Sequence, residues 1–512
     1  MYLITSAAYI TPGLSSEFGK IPPCMLPVQN RRLYEHQISI IPDKENIVLS
    51  LPYSYQLTAY DNRRLTSLGV RIVKVPDDLS LGQSIVYVLN VVGQYSESLT
   101  ILHGDTLFSN LLKEPDSCAI AIAEDFYDWA HVGEYDNVYA GCFSFSDQSL
   151  LIQKITESEY KFMEGVAEYG RVKPLHNTYL ENWMDFGLVN TYYRSISKMT
   201  TQRVFNSMKV SQFSVRKSSL DKRKMKAESN WILSLPASMK HYAPPVWDRG
   251  DDGNYYYYEI EYYFLSSLAN LFVFGKNELY VWKDIIRSCV DFFDEEFEIK
   301  PVNVLQIAQQ NDLLYSSKTM IRLEQYAKQT NISLDEPWTI NGVRVPSLNN
   351  IIKEIEPAIS KADVRFATMM HGDPCFSNIL YDFKSKSIKV IDPRGMDIDG
   401  KQSIYGDIRY DVAKLAHSIL GMYDFIIGGM FEYEENDKYN VYINFEMSDN
   451  LEQIQSFFLQ QKIGGYSLSE LSVYPILIHL FLSMLPLHND YVDRQKAFLA
   501  NALRLYVEFK KK

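Results

Sequence analysis

Two ten-residue segments of the chain share most of their letters, and each contains a carboxylate in a setting that could support chemistry. HGDTLFSNLL begins at His103 and HGDPCFSNIL begins at His371. The second continues as YDFKSKSIKVIDPRG, so an Asn follows Asp373 by five residues, and an apolar strand then ends in Asp392. The first is followed by no such strand. The flanking residues therefore predict two different sites rather than one repeated chemistry.

The second segment has the parts that phosphoryl transfer requires. The carboxylate of Asp373 can orient and deprotonate an attacking hydroxyl group, while Asn378 and Asp392 can hold magnesium against phosphates. The apolar strand IKVI would make Asp392 rigid, as a metal ligand needs to be. We expect His371 to brace the loop rather than to transfer protons.

This pattern resembles the aminoglycoside phosphotransferase/choline kinase family, whose members carry HGDxxxxN followed by an Asp on the next strand. The resemblance implies an ATP-dependent kinase with Asp373 as catalytic base and with Mg²⁺ held by Asn378 and Asp392. It extends over roughly residues 201–512. The segment GDIRYDVAKLAHS (406–418) resembles a further family motif, in which the Asp residues are mostly structural.

Upstream residues are similar to the small lobe of the same family. VRKSS followed by KAESNW resembles the strand lysine and helix glutamate, which assigns Lys217 to the phosphates and Glu228 as its partner. Arg216 remains an alternative to Lys217. The aromatic segment YYYEIEYY resembles the hinge between the lobes, so the adenine of ATP is expected around Glu259 and Tyr262.

The first segment places Asp105 at the carboxyl end of the apolar strand LTIL. In open α/β sheets, ligands bind at this edge. A second acid, Asp185, lies in ENWMDFGLVNTYY. Two carboxylates can hold a metal ion that neutralises phosphates and aligns an attack on them.

These residues resemble the strand-end GD and the WxDxG signature of nucleotidyltransferases that make nucleotide-sugars. The resemblance covers about residues 1–200 and implies that Asp105 and Asp185 hold one Mg²⁺ between the nucleotide and a sugar phosphate. SLGQSI resembles the stretch whose Gln contacts a pyrimidine base, which assigns that contact to Gln83. The segments AGCFSF and PPCMLPVQNRRLYEHQI are also similar to this family.

The opening loop differs from that family's AAGxGxRxxP pattern. Glu17 stands where an arginine is expected, and Pro23 stands where a lysine is expected. Lys20 is the cation that could replace them. GLSSEFGK (13–20) is not a P-loop, because five residues separate its glycines and Ile21 follows the lysine.

Strand and helix patterns alternate over the first part of the chain and predict an α/β, Rossmann-like domain with a mostly parallel sheet over 1–200. An α+β, bilobal, protein-kinase-like domain is expected over 201–512, with a small lobe at 201–265 and a large lobe at 266–512. After about residue 265 we expect mostly helix, interrupted near 365–393 by two short strands.

Bulk properties narrow the function further. The net charge of −12 and the lack of a Lys/Arg-rich stripe argue against nucleic acid as a partner. Five scattered cysteines without a CxxC pair indicate a reducing compartment and core packing. The N-terminus lacks the basic region of a signal peptide, and the apolar run Pro475–Leu487 is too short to insert into a membrane. A cytoplasmic location follows, while the sequence leaves the oligomeric state open.

Together these features predict a bifunctional enzyme with two reactions in series. The kinase would phosphorylate a small alcohol or sugar with ATP, and the transferase would activate the phosphomonoester with a second nucleoside triphosphate, of the pyrimidine class, for capsular or cell-surface polysaccharide biosynthesis. One alternative is an active kinase with a catalytically dead transferase domain used for binding or scaffolding. Another is a scaffold without activity, which the presence of Asp373, Asn378 and Asp392 disfavours.

Overall fold

The computed structural model describes all residues except 43, 45, 96–97, 128, 134–135, 200–205, 212 and 512. The chain divides into two compact units. The first comprises Met1–Met199 together with Phe274–Asn277, and the second comprises Thr200–Val273 and Glu278–Lys512. The boundary expected between residues 200 and 201 lies outside the described residues. The short return of the chain at 274–277 was not foreseen from the sequence.

The first unit alternates strands with helices along the chain. Its strands are β1 (Tyr2–Thr5), β2 (Pro27–Val28), β3 (Arg31–Arg32), β4 (Ile47–Pro52), β5 (Val70–Val75), β6 (Leu99–His103), β7 (Thr106–Leu107), β8 (Ser117–Ile122), β9 (Asn137–Phe145), β10 (His176–Tyr179) and β11 (Met184–Asp185). Its helices are α1 (Pro12–Phe18), α2 (Leu33–Ser39), α3 (Ala59–Ser67), α4 (Leu81–Val92), α5 (Gln148–Glu157), α6 (Phe162–Val172) and α7 (Val189–Lys198).

The main sheet of this unit has seven strands in the order β10-β8-β9-β6-β1-β4-β5. All run in one direction except β9, which pairs antiparallel with both of its neighbours. The predicted mostly parallel α/β fold is therefore confirmed. Strand β1 pairs with β4 on one side and with β6 on the other. The chain continues from β1 to β4 and β5 towards one edge of the sheet, and β6 begins the other half, so the strand order reverses between β1 and β6. Such a reversal opens a crevice at the carboxyl ends of the strands, where ligands bind.

The buried side chains explain why these segments adopt this fold. Strand β4 is buried along its whole length, as expected for a central strand that is covered on both faces. Helix α4 begins with a capping box between Ser80 and Gln83 and ends at Gly93, which has a φ of 72°. Helices α5 and α6 are separate, since Glu159 and Tyr160 adopt positive φ between them.

The second unit begins with an antiparallel sheet in the order β12-β13-β15-β14. These strands are β12 (Asn206–Val210), β13 (Ser214–Ser219), β14 (Val246–Asp251) and β15 (Tyr256–Glu261), and the helix α8 (Lys222–Leu233) packs on them. Along β15, Tyr256, Tyr258 and Ile260 are buried while the residues between them are partly exposed. This alternation is that of a sheet with one face covered by a helix.

The rest of the second unit is mainly helical, as predicted. Its helices are α9 (Leu268–Phe274), α10 (Leu279–Glu298), α11 (Val304–Asp312), α12 (Lys318–Thr330), α13 (Leu348–Ile355), α14 (Ile408–Ile419), α15 (Tyr423–Ile427), α16 (Asp449–Leu459), α17 (Val473–Met484) and α18 (Val492–Lys510). Its remaining strands are β16 (Ser266–Ser267), β17 (Pro337–Ile340), β18 (Val343–Ser347), β19 (Ala367–Met369), β20 (Ile379–Asp382), β21 (Ser387–Val390), β22 (Tyr405–Asp407), β23 (Glu432–Asp437), β24 (Asn440–Asn444), β25 (Lys462–Ile463) and β26 (Tyr466–Ser467). The α+β class expected for this part is confirmed.

The prediction of only two short strands after residue 265 was wrong. A further four-stranded sheet has the order β18-β17-β24-β23. Its strands are short, and the edge strand β23 reads EYEEND, with a run of exposed charged residues at its end. Charged edge strands avoid pairing with other chains, but they lack the apolar alternation by which a strand is recognised in a sequence.

Two expectations from the bulk composition can be compared with the structure. All five cysteines are buried free thiols, consistent with core packing. Among the described residues, none of the helices combines the length and the apolarity needed to cross a bilayer.

Candidate active sites

The loop that carries Asp373 follows strand β19 and is fixed by groups behind it. The carboxylate of Asp411 accepts the backbone N–H groups of His371, at 2.6 Å, and of Gly372, at 3.0 Å. Gly372 has a φ of 88°, and a Cβ at this position would lie 2.6 Å from the Cβ of Arg394. Only glycine fits this turn without strain, so the position of Asp373 is set by the backbone.

His371 is fully buried beneath this loop. Its Nδ1 accepts the backbone N–H of Asp373 at 3.3 Å, and its ring contacts that of Trp231 edge to face, with centroids 5.2 Å apart. Burial lowers the pKa of His371 to about 4, so the ring is neutral at pH 7. This geometry fits the bracing role expected from the sequence.

Asp373 forms an ion pair with Lys414, whose Nζ lies 2.8 Å from Oδ1. Burial alone would raise the pKa of Asp373, but the charge and hydrogen bond of Lys414, together with the charge of Arg394, lower it to about 2. The carboxylate is therefore ionised at neutral pH. Its side chain remains 41% exposed, so a hydroxyl group from solvent can reach it.

Asn378 and Asp392 lie at the open end of the hairpin formed by β20 and β21. The backbone N–H of Ile391 donates to the carbonyl oxygen of Asn378 at 3.0 Å, which extends the ladder of the hairpin. The side-chain amide of Asn378 donates to the carbonyl of Asp373 at 2.9 Å. Asp392 has a φ of 59°, a backbone conformation that non-glycine residues adopt at few positions, often functional ones.

Lys217 extends from β13 and forms an ion pair with Asp392. The partner expected from the sequence was Glu228, and the structure differs on this point. Glu228 is 4% exposed and accepts a hydrogen bond from the hydroxyl group of Tyr258 at 2.8 Å. Burial raises the pKa of Glu228, and the nearby charge of Lys217 opposes this rise. Lys217 thus lies between two carboxylates and pairs directly with the more exposed one.

The rival residue Arg216 lies elsewhere. Its guanidinium group stacks over the ring of Tyr257 at 3.6 Å from the centroid. Successive side chains of a strand point to opposite faces of a sheet, so Arg216 and Lys217 cannot reach the same ligand. Of the two residues, only Lys217 contacts the Asp392 carboxylate.

The hinge residues occupy two different settings. Glu259 pairs with Arg216 on one side and Asp248 on the other, so its backbone groups are used by the sheet. Tyr262 lies just beyond the end of β15, and its N–H donates to the carbonyl of Phe213 at 2.9 Å. The contacts of Glu259 and Tyr262 with adenine stay predictions.

Sequence reasoning missed residues that surround Asp373. Arg394 stands in the segment DPRG directly after Asp392, and Tyr410 and Lys414 are one helical turn apart on α14. This i, i+4 spacing in a segment whose Asp residues were noted could have indicated that both face Asp373.

In the first unit, Asp105 and Asp185 are brought together by a two-residue antiparallel pair. Asp185 of β11 pairs with Thr106 of β7, and the N–H of Phe186 donates to the carbonyl of Asp105 at 2.8 Å. A Cβ placed on Gly187 would lie 3.2 Å from Oδ2 of Asp105 and 3.3 Å from Oδ1 of Asp185. The two carboxylates therefore converge on one point.

The environment of this pair favours a positive ion. Burial raises the pKa of Asp105, and burial together with the charge of Asp105 raises the pKa of Asp185 to about 7. Among the residues that the structure describes, none is a hydrogen-bond partner of the buried Oδ2 of Asp185. A buried carboxylate oxygen without a partner is costly, and a cation between the two side chains would satisfy it.

Two cavities open onto Asp185. One, of about 310 Å³, extends along the carboxyl ends of β1 and β6 and is lined by residues that include Ala8, Asp105 and Gly187. The other, of about 520 Å³, is lined by residues that include Trp183, Arg194 and Lys198. Tyr127 and Asp185 line both. Volumes of this size accommodate small-molecule ligands.

The opening loop places its charges away from the carboxylate pair. The segment Pro12–Phe18 is a short helix, and Glu17 accepts a hydrogen bond from the hydroxyl group of Tyr193. Lys20 is exposed and lies over the ring of Tyr9, with Nζ 4.3 Å from the centroid. Pro23 lines the smaller cavity, whereas neither Glu17 nor Lys20 does.

Gln83 also has a role that the sequence did not indicate. Its Oε1 accepts the backbone N–H of Ser80 at 2.9 Å as part of the capping box of α4. The cavity is lined instead by its neighbours Leu81 and Ser84. Only Oε1 of the amide takes part in this cap, so a contact between the Nε2 group of Gln83 and a pyrimidine base stays a prediction.

Neither site is a complete metal cage. Within the described ranges, no group of three or more His, Cys, Asp and Glu side chains is placed to hold a metal ion. Mg²⁺ is usually held by one or two carboxylates, with substrate phosphates and water as its other ligands. That mode of binding fits two pairs of residues, Asp105 with Asp185 and Asn378 with Asp392.

No protein-family model matches the chain, and neither does any curated protein. Solved structures of both kinds expected from the sequence are similar to it. A protein named as a glucose-1-phosphate thymidylyltransferase from Bacillus anthracis, in complex with sucrose, is 13% identical, with a TM-score of 0.32 over 40% of this chain and 96% of its own.

The second part is similar to antibiotic kinases. A mutant of aminoglycoside phosphotransferase APH(4)-Ia, in complex with AMP-PNP and hygromycin B, is 12% identical, with a TM-score of 0.36 over 61% of this chain and 94% of its own. The phosphotransferase APH(3'')-Id from Streptomyces rimosus, in complex with ADP and streptomycin, is 12% identical, with a TM-score of 0.31 over 52% of this chain and 87% of its own. At such low identities and TM-scores, these likenesses say nothing about what this chain acts on.

Proposed function

We propose that the chain is a bifunctional enzyme that phosphorylates a small alcohol or sugar with ATP and then transfers a nucleotidyl group to the phosphomonoester. The kinase would reside in the second unit and the nucleotidyltransferase in the first. Both reactions consume nucleoside triphosphates, which favours the cytoplasm as their location.

One observation carries the kinase half of this proposal. Asn378 donates to the carbonyl of Asp373, Ile391 next to Asp392 donates to the carbonyl of Asn378, and Lys217 from β13 pairs with Asp392, so these contacts bring the four residues into one site. A carboxylate that is ionised and partly exposed, next to an amide and a carboxylate that suit Mg²⁺ and to a lysine that suits phosphate, is the set that phosphoryl transfer needs.

In the proposed first reaction, the oxygen of the acceptor hydroxyl group forms a bond to the γ-phosphorus of ATP. The bond between that phosphorus and the β,γ-bridging oxygen breaks, and ADP leaves with the electron pair. Asp373 accepts the hydroxyl proton. Lys217 neutralises charge on the phosphates, and Asn378 and Asp392 would hold Mg²⁺, which when bound offsets the negative charge of the nucleotide.

In the proposed second reaction, a phosphate oxygen of the phosphomonoester attacks the α-phosphorus of a second nucleoside triphosphate, and pyrophosphate leaves. Asp105 and Asp185 would hold the metal ion between the two phosphate-bearing substrates. The two adjoining cavities support this half, because each can take one substrate and Asp185 lines both. A pyrimidine nucleotide remains our proposal on the basis of sequence resemblance.

A chain that contains both activities fits the synthesis of activated building blocks for capsular or other cell-surface polysaccharides. The phosphomonoester made by one unit is the chemical class that the other consumes. This order gives a reason for the two units to share one chain.

The alternative is an active kinase joined to a transferase-like unit that only binds ligands. One observation favours it. Glu17 and Pro23 stand at positions where the resemblance leads us to expect cations, and Lys20 lies over Tyr9 rather than along the cavity.

The experiment that separates these functions uses the full chain. Small alcohols and sugars are incubated with ATP and Mg²⁺, first alone and then with CTP, UTP, dTTP or GTP, and the products are identified by mass spectrometry. We expect a phosphomonoester in the first reaction and a nucleotide-linked product with one of the second nucleotides. A phosphomonoester that no nucleotide converts would establish the alternative.

A further inference from the structure

Positive charge is concentrated on the side of Asp373 where helices α12 and α14 lie. Arg394 donates from Nη2 to the hydroxyl group of Tyr410 at 2.8 Å, and its Cζ lies 4.7 Å from the centroid of that ring. Lys318 lies over the same ring, with Nζ 5.1 Å from the centroid. We call the following four residues the basic cluster: Lys318, Arg322, Arg394 and Lys414.

The carboxylates nearby do not balance this charge. Lys414 pairs with Asp373, whereas Asp411 uses both oxygens to accept backbone N–H groups. In the part of the chain that the structure describes, the three other members of the basic cluster have no carboxylate within 4 Å of their nitrogens. All four side chains are half-buried, and among the described residues three of them have no carboxylate beside them, so the cluster can accept a negative partner.

The pKa values of Lys318 and Tyr410 also indicate that positive charge is concentrated here. The pKa of Lys318 is lowered to about 8, chiefly by burial; the hydroxyl group of Tyr410 opposes this shift, and the charges of Arg394, Arg322 and Lys414 add to it. Burial would raise the pKa of Tyr410, but the charges of Arg394, Lys318 and Lys414 lower it to about 7. The environment thus stabilises negative charge even on a tyrosine.

The backbone that presents Lys318 is also unusual. Helix α11 passes through a π-helical turn, Leu313–Ser317, before α12 begins at Lys318. Such turns shift the side chains that follow and occur frequently at functional sites. One turn further along α12, Arg322 donates to the carbonyl of Ser483 at 3.0 Å, which anchors its guanidinium group.

We propose that the basic cluster binds an anionic group of the phosphoryl acceptor, so that the acceptor is a hydroxyl compound that also carries a carboxylate or phosphate. This inference rests on the kinase function proposed above. The anion would lie beside Tyr410. The hydroxyl group would then be next to Asp373, because Lys414 lies one helical turn from Tyr410 on α14 and pairs with Asp373.

The phosphates of ATP are the other possible source of an anion, and the structure favours the acceptor. Lys217 and Asp392 mark the side of the nucleotide. Lys318 and Arg322 lie on α12, which contributes neither Lys217 nor Asp392. The charges that act on Lys318 and Arg322 are those of Tyr410 and of other members of the basic cluster. A cationic acceptor would be repelled from this side of Asp373.

The test compares four acceptors with the full chain, ATP and Mg²⁺. Glycerate, glycerol 3-phosphate and glycerol share one carbon skeleton and differ in an anionic group, and choline is a cationic acceptor. We expect kcat/KM for at least one of the anionic compounds to exceed that for glycerol and choline by ten-fold or more. Preferential phosphorylation of glycerol or choline would overturn the inference and leave the proposed kinase intact.

Binding is measured separately, so that the two proposals can fail independently. Calorimetric titration of glycerate, and of inorganic phosphate, into the chain saturated with AMP-PNP and Mg²⁺ should show binding of at least one of them. Binding by neither probe would overturn the anion site. Binding without phosphoryl transfer to any of the four acceptors would retain the anion site and count against the kinase.

Variants distinguish the acceptor from ATP. We expect Lys318→Met and Arg322→Met each to weaken the affinity for the bound anion at least ten-fold. Each should also raise the KM for the acceptor at least ten-fold, while the KM for ATP changes less than two-fold. Lys318→Arg, which keeps the charge, should retain most of the affinity, and Lys328→Met, on the exposed part of α12, is the matched control. A loss of affinity for ATP with unchanged acceptor binding would assign the cluster to the nucleotide and overturn the inference.

Discussion

Asp105 and Asp185 are neighbours because the N–H of Phe186 donates to the carbonyl oxygen of Asp105 at 2.8 Å, within the short pair of β7 and β11. Backbone hydrogen bonds therefore fix the separation of the two main-chain positions from which these carboxylates extend. A pair of acids held in this way is prepared to receive a divalent cation without reorganisation.

Gly187→Ala should impair nucleotidyl transfer selectively. The added Cβ would lie 3.2 Å from Oδ2 of Asp105 and 3.3 Å from Oδ1 of Asp185, so both carboxylates must move by a few tenths of an ångström. We expect pyrophosphate release to fall about ten-fold or more, with a higher concentration of Mg²⁺ required, since misplacement of reacting groups on this scale is costly. Kinase turnover should be unchanged.

Asp105→Ala is the stronger variant at the same site. It should stop nucleotidyl transfer and leave the kinase active. If a well-folded Asp105→Ala chain lost both activities, the assignment of separate sites to the two units would be wrong.

Asp373→Asn should lower the turnover of the kinase by about 10²–10⁴-fold, because the amide cannot accept the proton of the acceptor hydroxyl group. The affinity for ATP, measured by calorimetry, should change little, since Asp373 acts on the acceptor. Asp382→Asn, in the turn of the following hairpin, is the matched control. A variant at Asp373 with nearly normal turnover would contradict the assigned base.

Lys217→Met and Arg216→Met form a pair of variants one residue apart. Lys217 contacts Asp392, whereas Arg216 stacks on Tyr257 on the other face of the strand. We expect Lys217→Met to raise the KM for ATP at least ten-fold and Arg216→Met to change it less than two-fold. Equal effects of both substitutions would indicate that they act through the stability of the sheet.

Lys20→Ala tests the opening loop of the first unit. If Lys20 leaves the ring of Tyr9 to meet the triphosphate, its removal should raise the KM for the second nucleotide several-fold. Glu17→Gln should have less than a two-fold effect, because Glu17 is held by the hydroxyl group of Tyr193. No pyrophosphate from any nucleotide, together with no effect of Lys20→Ala, would establish the alternative of an inactive transferase.

His417→Phe should reduce the sensitivity of the chain to acid. His417 is fully buried between the rings of Tyr423 and Phe481, and burial holds its pKa well below the ordinary value of about 6.5. The unfolded chain therefore gains a proton below pH 6.5 that the folded chain does not, and stability falls as the pH drops. One such group costs about 1.4 kcal/mol between pH 7.5 and 5.5.

The measurement is the difference in Tm between pH 7.5 and pH 5.5 for the wild-type chain and for His417→Phe. A smaller difference in the variant is expected, since phenylalanine keeps the aromatic contacts and removes the titrating group. An unchanged difference would mean that His417 does not contribute to the acid sensitivity.

The sequence by itself determined the two fold classes and the principal acids. Strand-end positions and fixed short spacings singled out Asp105, Asp373, Asn378 and Asp392 as candidates, because these residues lie on backbone elements whose local pattern is visible in a single segment. The same reasoning separated the two HGD segments, since only the second leads directly into a hairpin whose second strand is followed by an Asp, Asp392.

Only the tertiary structure decided which partners these residues have. Lys217 pairs with Asp392 rather than with Glu228, Gln83 caps its own helix, and Glu17 turns to Tyr193. The basic cluster is assembled from α12, from α14 and from the loop that carries Arg394, which lie far apart in the chain, so no local spacing could reveal it. Local patterns fix the direction of a side chain, but its partner and its pKa depend on burial and charge contributed by distant segments.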